Sequence, residues 1–175
     1  MTGWKEYVLP AIWRAGIVLL ALSVLLGLSL IPLEVAHLGD IRPFFMLAAI
    51  YYWAIMRPSM IPAALVFLLG LLLDLLYAYP LGMQALVLVT AYWVARGQRR
   101  FLMGQSFRVI WATFSVVALA SGLIQWTAFS IFSLSLAPLQ PPLVSSLLTA
   151  LIFPLLVMPL SLVVRALSDT TVDSL

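Results

Sequence analysis

Six long apolar stretches, separated by short polar or proline-bearing breaks, make up most of the chain. A helix needs about 20 apolar residues to cross a hydrocarbon core, with a range near 17–25. On that scale the pattern predicts spans at roughly 14–32, 42–57, 61–79, 82–96, 108–135 and 143–165. The second and fourth are short and are expected between neighbouring helices, where a bilayer can thin. The fifth is long enough to tilt or to extend beyond the core. Inside a bilayer no water satisfies backbone groups, so each span should be helical. The expected fold class is an all-α membrane protein, with residues 1–175 forming one domain of six transmembrane helices.

Prolines and basic residues sharpen the boundaries. Pro43, Pro62 and Pro142 are each expected in a first helical turn, where a missing N–H costs nothing. Pro154 and Pro159 fall inside the last span and should kink it. With the N-terminus in the cytoplasm, Lys5, Arg14, Arg57, Arg96, Arg99, Arg100, Arg108 and Arg165 all lie inside, and only Arg42 lies outside. This positive-inside bias predicts an even number of spans and cytoplasmic N and C termini. Trp4, Trp13, Tyr77, Tyr79, Tyr92, Trp93 and Trp111 collect near the expected interfaces, as amphipathic rings do. The segment Gly3 to Trp13 is expected to lie along the inner interface before turning in.

Composition excludes a soluble domain. The chain is 65% hydrophobic and 9% charged, whereas soluble domains are about half apolar and about a quarter charged. A formal charge of +3 is too small to suggest nucleic-acid binding, and the absence of cysteine removes disulfides and thiolate chemistry. Lys5 and Arg14 before the apolar run Ala15 to Ile31 resemble a secretory signal. That run exceeds the ~7–15 residues of an h-region and no small-x-small site follows it, so an uncleaved first span is expected.

Asp74 stands out as a lone acid within the apolar stretch Ala63 to Tyr79. A charge near mid-membrane costs about 2.5–3.5 kcal/mol on insertion scales, so it should face protein or water and have a partner. Gly70 lies four residues earlier on the same helical face and admits close approach of another helix. Pro80-Leu81-Gly82 makes an extracytoplasmic turn that returns Gln84 to a similar depth, allowing an Asp74–Gln84 hydrogen bond. Arg42 begins the second span on the same side and can snorkel toward them. Two readings stay open: a polar cluster that pins helices together, or a substrate, ion or proton site.

Other constellations are weaker. Ser23 with Gly27 and Ala118 with Gly122 have the spacing of close-packing transmembrane helices, within this chain or against another. Arg96, Arg99, Arg100 and Arg108 form an expected basic loop that either fixes topology or meets anionic lipid heads or a cytoplasmic partner. Glu34 and His37 can meet on a short helix in the first outer loop, but two ligands do not make a zinc site. The single histidine lies outside the expected bilayer, so no serine has a base, and no paired carboxylates or phosphate-binding glycine pattern occurs. No enzyme and no cofactor is expected. A channel is disfavoured because no span carries a repeated polar stripe.

The run Phe67-Leu68-Leu69-Gly70-Leu71-Leu72-Leu73-Asp74-Leu75-Leu76, followed by Pro80-Leu81-Gly82 and Ala85-Leu86, resembles the MreD family of bacterial rod-shape-determining membrane proteins. That family shows a Gly-x-x-x-Asp element in an apolar helix, then a turn ending in Leu-Gly. Chain length, six-span layout, Arg42-Pro43 and the basic segment after the fourth span are also similar. One departure is Ala78, where a glycine is often found.

The resemblance implies a non-enzymatic scaffold of the peptidoglycan elongation machinery in the bacterial inner membrane. Its implied partners are MreC, a RodA-type glycosyltransferase, an elongation-specific penicillin-binding transpeptidase and the MreB filament. In that role a lipid-facing groove would receive a partner's single transmembrane helix. The family is also similar in fold to small substrate-binding subunits of vitamin transporters. The alternative is therefore a substrate-binding subunit for a small molecule or a lipid-linked precursor, using Asp74, Gln84 and Arg42 with Tyr77 and Tyr79 nearby.

Overall fold

In the computed structural model, residues 3–30, 33–35, 39–58, 61–134 and 138–169 are described, with side chains for 16–30, 41–58, 61–134 and 138–162. Lys5, Arg14, Glu34, His37, Asp40 and Arg165 have side chains outside that set. The chain order is α1 (Gly3–Leu30), β1 (Leu33–Val35), β2 (Gly39–Ile41), α2 (Phe45–Met56), α3 (Ala63–Tyr77), α4 (Met83–Leu102), α5 (Phe107–Phe132) and α6 (Gln140–Asp169).

The second apolar stretch is the centre of the molecule. Its sequence, Phe45-Met46-Leu47-Ala48-Ala49-Ile50-Tyr51-Tyr52-Trp53-Ala54-Ile55-Met56, is apolar all round, and a helix with no polar face belongs in an interior. Every residue of α2 but Met56 is buried. It packs on α1, α4, α5 and α6, and the contacts α1–α3, α3–α4, α4–α5, α5–α6 and α6–α1 close a ring about it. At 1.5 Å per residue its 12 residues span about 18 Å, well short of a ~30 Å hydrocarbon core.

Both ends of this short helix are tied to its neighbours. At the start, Thr149 Oγ1 on α6 accepts the Phe44 N–H at 2.8 Å and donates to the Ser145 carbonyl at 2.6 Å. At the finish, Arg99 Nε on α4 donates to the Ile55 carbonyl at 2.7 Å. These bonds satisfy groups that a helix terminus leaves unpaired. In the middle, Tyr51 meets Phe114 of α5 (5.1 Å between centroids) and Phe153 of α6 (6.3 Å), and Phe114 stacks on Phe153 at 4.0 Å.

The two helices long and apolar enough to cross a membrane, among the described residues, are α5 and the Gln140–Leu162 part of α6, with mean hydropathies of 1.8 and 2.2. Pro154 and Pro159 lie inside α6. Outward faces carry large apolar side chains, among them Leu20, Leu68, Leu75, Leu151 and Leu155.

Several expectations are corrected. The fourth helix does not stop near residue 96 but runs to Leu102, leaving only 103–106 before α5. Gln98, Arg99 and Arg100 are good helix formers, so the helix outlasts its apolar stretch. Arg96, Arg99 and Arg100 therefore project from α4, and Arg108 from the first turn of α5, rather than from a basic loop. The first helix is unbroken from Gly3 to Leu30, so the segment Gly3 to Trp13 does not turn before the span.

The outer loop is not a short helix: β1 and β2 pair antiparallel, with Glu34 opposite Asp40 and Val35 opposite Gly39. Pro43 precedes α2 by two residues, and Pro62 is the N-cap of α3, so neither sits in a first turn. Among the belt aromatics, Tyr92 is fully buried and donates to the Ile61 carbonyl. Trp111 Nε1 donates to the Ala150 carbonyl on α6.

Candidate functional site: the α3–α4 turn and the cleft beside it

Gly70 creates the α3–α4 contact. A Cβ placed there would overlap Ala85 Cα and lie 2.7 Å from Ala85 N, so only a hydrogen fits between the two backbones. One turn later on the same face, Asp74 is wholly buried. Its Oδ2 accepts the Gly82 N–H at 2.8 Å and its Oδ1 accepts the Gln84 N–H at 2.7 Å. Gly82 is the N-cap of α4, so the carboxylate occupies the site where a helix offers free N–H groups and the positive end of its dipole. The Asp74 carbonyl meanwhile accepts the Tyr79 N–H at 3.0 Å, closing the last turn of α3.

The turn needs unusual backbone. Ala78, the C-cap of α3, has φ 52° and ψ 35°, and Gly82 has φ 98°. A side chain at a left-handed position is strained, which is why glycine is favoured there. The expected Asp74–Gln84 hydrogen bond is thus made by the Gln84 backbone N–H. Arg42 does not turn to Asp74. Its guanidinium carbon lies 5.0 Å from the centroid of the Tyr77 ring, a cation–π arrangement. Tyr77 in turn donates its hydroxyl to the Ser29 carbonyl of α1 at 2.7 Å.

Beside this turn, at the hairpin end of the bundle, lies a cleft of about 370 Å³. Arg42 and Phe44 before α2, Tyr77 and Tyr79 at the end of α3, and Met83 and Gln84 at the start of α4 form one side. Gln125, Trp126 and Phe129 of α5, with Pro138, Pro141, Pro142 and Ser145 around the start of α6, form the other. Tyr79 bridges the two, with centroids 5.6 Å from Tyr77 and 6.4 Å from Phe129. Gln125 is 8% exposed, and its Oε1 is buried without a hydrogen-bond partner.

The structure brings Gly70, Asp74, Gly82 and Gln84 together, with Arg42 across the cleft from α5. Gln125, Trp126, Phe129 and Ser145 complete the cleft and were not paired with it from sequence. Their signal was present in part: Ala118, Ser121, Gly122 and Gln125 mark one face of α5 at helical spacing, and all four are buried. Gly122 is in contact with α6, where a Cβ would overlap Ser146 Oγ and lie 3.0 Å from the Pro142 carbonyl.

The other small pair behaves differently. Ser23 and Gly27 are exposed on α1, a Cβ at Gly27 would meet nothing within 4 Å, and Ser23 Oγ donates back to the Leu19 carbonyl. Of the four arginines of the expected basic loop, Arg96 donates to Tyr92 Oη at 2.8 Å and Arg99 is bound to Ile55. Arg100 and Arg108 are exposed. No group of three or more metal-ligating side chains occurs among the described residues.

The turn and cleft offer a carboxylate whose two oxygens each accept a backbone N–H, one guanidinium, and neutral amide and hydroxyl groups. No curated protein and no solved structure matches the chain. The family model for rod shape-determining protein MreD matches residues 11–167, from within α1 to within α6, including the Asp74 turn and the cleft. By that match, this chain belongs to the MreD family of rod shape-determining proteins.

Proposed function

We propose that this protein is a non-enzymatic scaffold of the bacterial cell-elongation complex, acting in rod-shape determination by helix association within the inner membrane. In this reading all six helices lie in the bilayer, the short α2 being shielded by its neighbours. Arg57, Arg96, Arg99, Arg100 and Arg108 mark the cytoplasmic end, where both termini also lie. The observation that carries the proposal is the use of Asp74. Both carboxylate oxygens are taken by backbone N–H groups of α4, so the intramembrane acid fastens two helices.

With its polar groups turned inward, the bundle offers partners mainly apolar surface. The exposed α1 face with Gly16, Ser23 and Gly27 suits close approach of a partner's single transmembrane helix. MreC, a RodA-type glycosyltransferase, an elongation-specific transpeptidase and the MreB filament are the proposed partners. Affinity purification from native membranes in mild detergent, with mass spectrometry of proteins, tests this. Recovery of MreC with elongation synthases is expected, and their absence from an intact, folded preparation would overturn the scaffold reading.

The cleft favours a second reading, the binding of a small ligand, as in the substrate-binding subunits of transporters. Mass spectrometry of small molecules from the same preparation tests it, with one stoichiometric compound as the expected result.

A further inference from the structure

Three features of the cleft are unused by helix packing. The first is Arg42. The other basic residues belong by connectivity to the opposite end of the bundle, and among the described side chains Arg42 is the basic one that lines the cleft, half-buried. Its guanidinium carbon lies 5.0 Å from the Tyr77 ring centroid, and the carboxylate of Asp74, the one acid among the described side chains, is held by Gly82 and Gln84. A cation–π contact uses none of the guanidinium's N–H groups as hydrogen bonds to a carboxylate, and phosphate oxygens match their fork.

The second feature is Gln125 Oε1, buried and without a partner on the opposite wall. A buried acceptor left unpaired is costly, so the group calls for a donor delivered by whatever enters the cleft. The third is size and surroundings. About 370 Å³ is near the lower limit of small-molecule sites, enough for a headgroup and too little for a whole lipid. Tyr77, Tyr79, Trp126 and Phe129 supply aromatic walls, and beyond them α5 ends in the exposed apolar residues Ile131 and Phe132, with exposed Leu134 just after.

We infer that the cleft binds the headgroup of an anionic, phosphate-bearing amphiphile that also carries a hydroxyl donor, with its apolar tail leaving along the end of α5. This rests on the ligand-binding reading and names the chemical class for it. Arg42 takes the phosphate, and the hydroxyl donates to Gln125 Oε1. The same head chemistry occurs in a membrane lipid and in a free polyol phosphate, and the two sources separate in the test.

The purified full chain in neutral detergent is incubated with phosphatidylglycerol or phosphatidylcholine, and retained lipid is counted by native mass spectrometry. One phosphatidylglycerol per chain is expected, retained at least tenfold better than phosphatidylcholine. Arg42→Gln and Gln125→Glu should each reduce retention at least tenfold, the second by setting a carboxylate against the phosphate. Arg42→Lys, which keeps the charge, should recover part of it, and Arg108→Gln at the far end should change nothing. Melting curves establish that the variants are folded.

Competition by glycerol 3-phosphate would support the site with a soluble source. Retention that it does not displace would support the site with a membrane source. Equal retention of both lipids, indifferent to Arg42, would overturn the anionic class while leaving a ligand-binding cleft. If neither lipid nor glycerol 3-phosphate binds and no small molecule co-purifies, both readings fail.

Discussion

Asp74 Oδ1 and the Gln84 backbone N–H meet at 2.7 Å, and this bond, with its twin to Gly82, lets one side chain cap the helix that follows it. The residue works at both sides of the turn, because its carbonyl also closes α3 through the Tyr79 N–H. Removing the carboxylate strands two amides next to a packed interface. At about 1–3 kcal/mol for each buried group left unpaired, Asp74→Ala should be severely destabilising. Asp74→Asn keeps one acceptor oxygen and should fall between Ala and wild type. Thermal melts of the purified variants give the order; an Asp74→Ala protein as stable as wild type would remove the fastening role.

Gly70 sets how near α3 and α4 can come. A methyl group there meets the Ala85 backbone, which cannot rotate away as a side-chain tip can. Gly70→Ala should therefore cost about 1–3 kcal/mol, the range for overpacking a close contact, despite alanine's better helix propensity. Denaturant titration in detergent measures the sign directly, and a gain in stability would mean that the helices separate freely.

Ala78 is the reverse case. It holds φ 52°, a left-handed conformation that costs an L-residue about 1–2 kcal/mol and glycine almost nothing. Ala78→Gly should stabilise the protein, by somewhat less than that range because glycine also loosens the unfolded chain. A higher melting temperature with unchanged complementation of cell shape is the expected result.

How far the sequence carries can be followed residue by residue around this turn. Gly70, Asp74 and Pro80-Leu81-Gly82 act through local spacing, and local spacing is what a sequence displays. The extension of α4 was hidden because the apolar pattern marks where lipid would end, not where the backbone stops being helical. The hairpin was hidden by its shortness: Leu33-Glu34-Val35 alternates, but three residues do not separate strand from loop. One wall of the cleft, Arg42, Tyr77, Tyr79 and Gln84, was grouped from sequence, but its α5–α6 wall was hidden for a different reason. Arg42, Tyr79, Gln125 and Ser145 come from four segments, and their convergence depends on how the outer helices close around α2.

Arg99 gives a stability test at the opposite end of the bundle. The sequence places it with exposed charges, yet its Nε caps the Ile55 carbonyl at the end of α2. Arg99→Ala should cost about 1–3 kcal/mol by leaving that buried carbonyl unpaired. Arg100→Ala, one position along and exposed, should change stability by about 0.5 kcal/mol or less. Equal effects of the two would show that Arg99 acts only as a charge.

Gly27 separates folding from association. Nothing lies within 4 Å of a Cβ added there, and the same outward face carries Ser23 and Gly16. Gly27→Leu should leave the isolated protein's stability unchanged or slightly raised, since it replaces a poor helix former with a good one. If a partner helix packs on this face, the leucine holds the two backbones apart and association weakens. Ala118→Leu is the contrasting variant: Ala118 is fully buried within the bundle, so overpacking there should lower stability itself. Measuring melts alongside partner co-purification distinguishes the two residues. Loss of partners in folded Gly27→Leu would place the scaffold's contact on α1, and full retention would remove α1 from the interface.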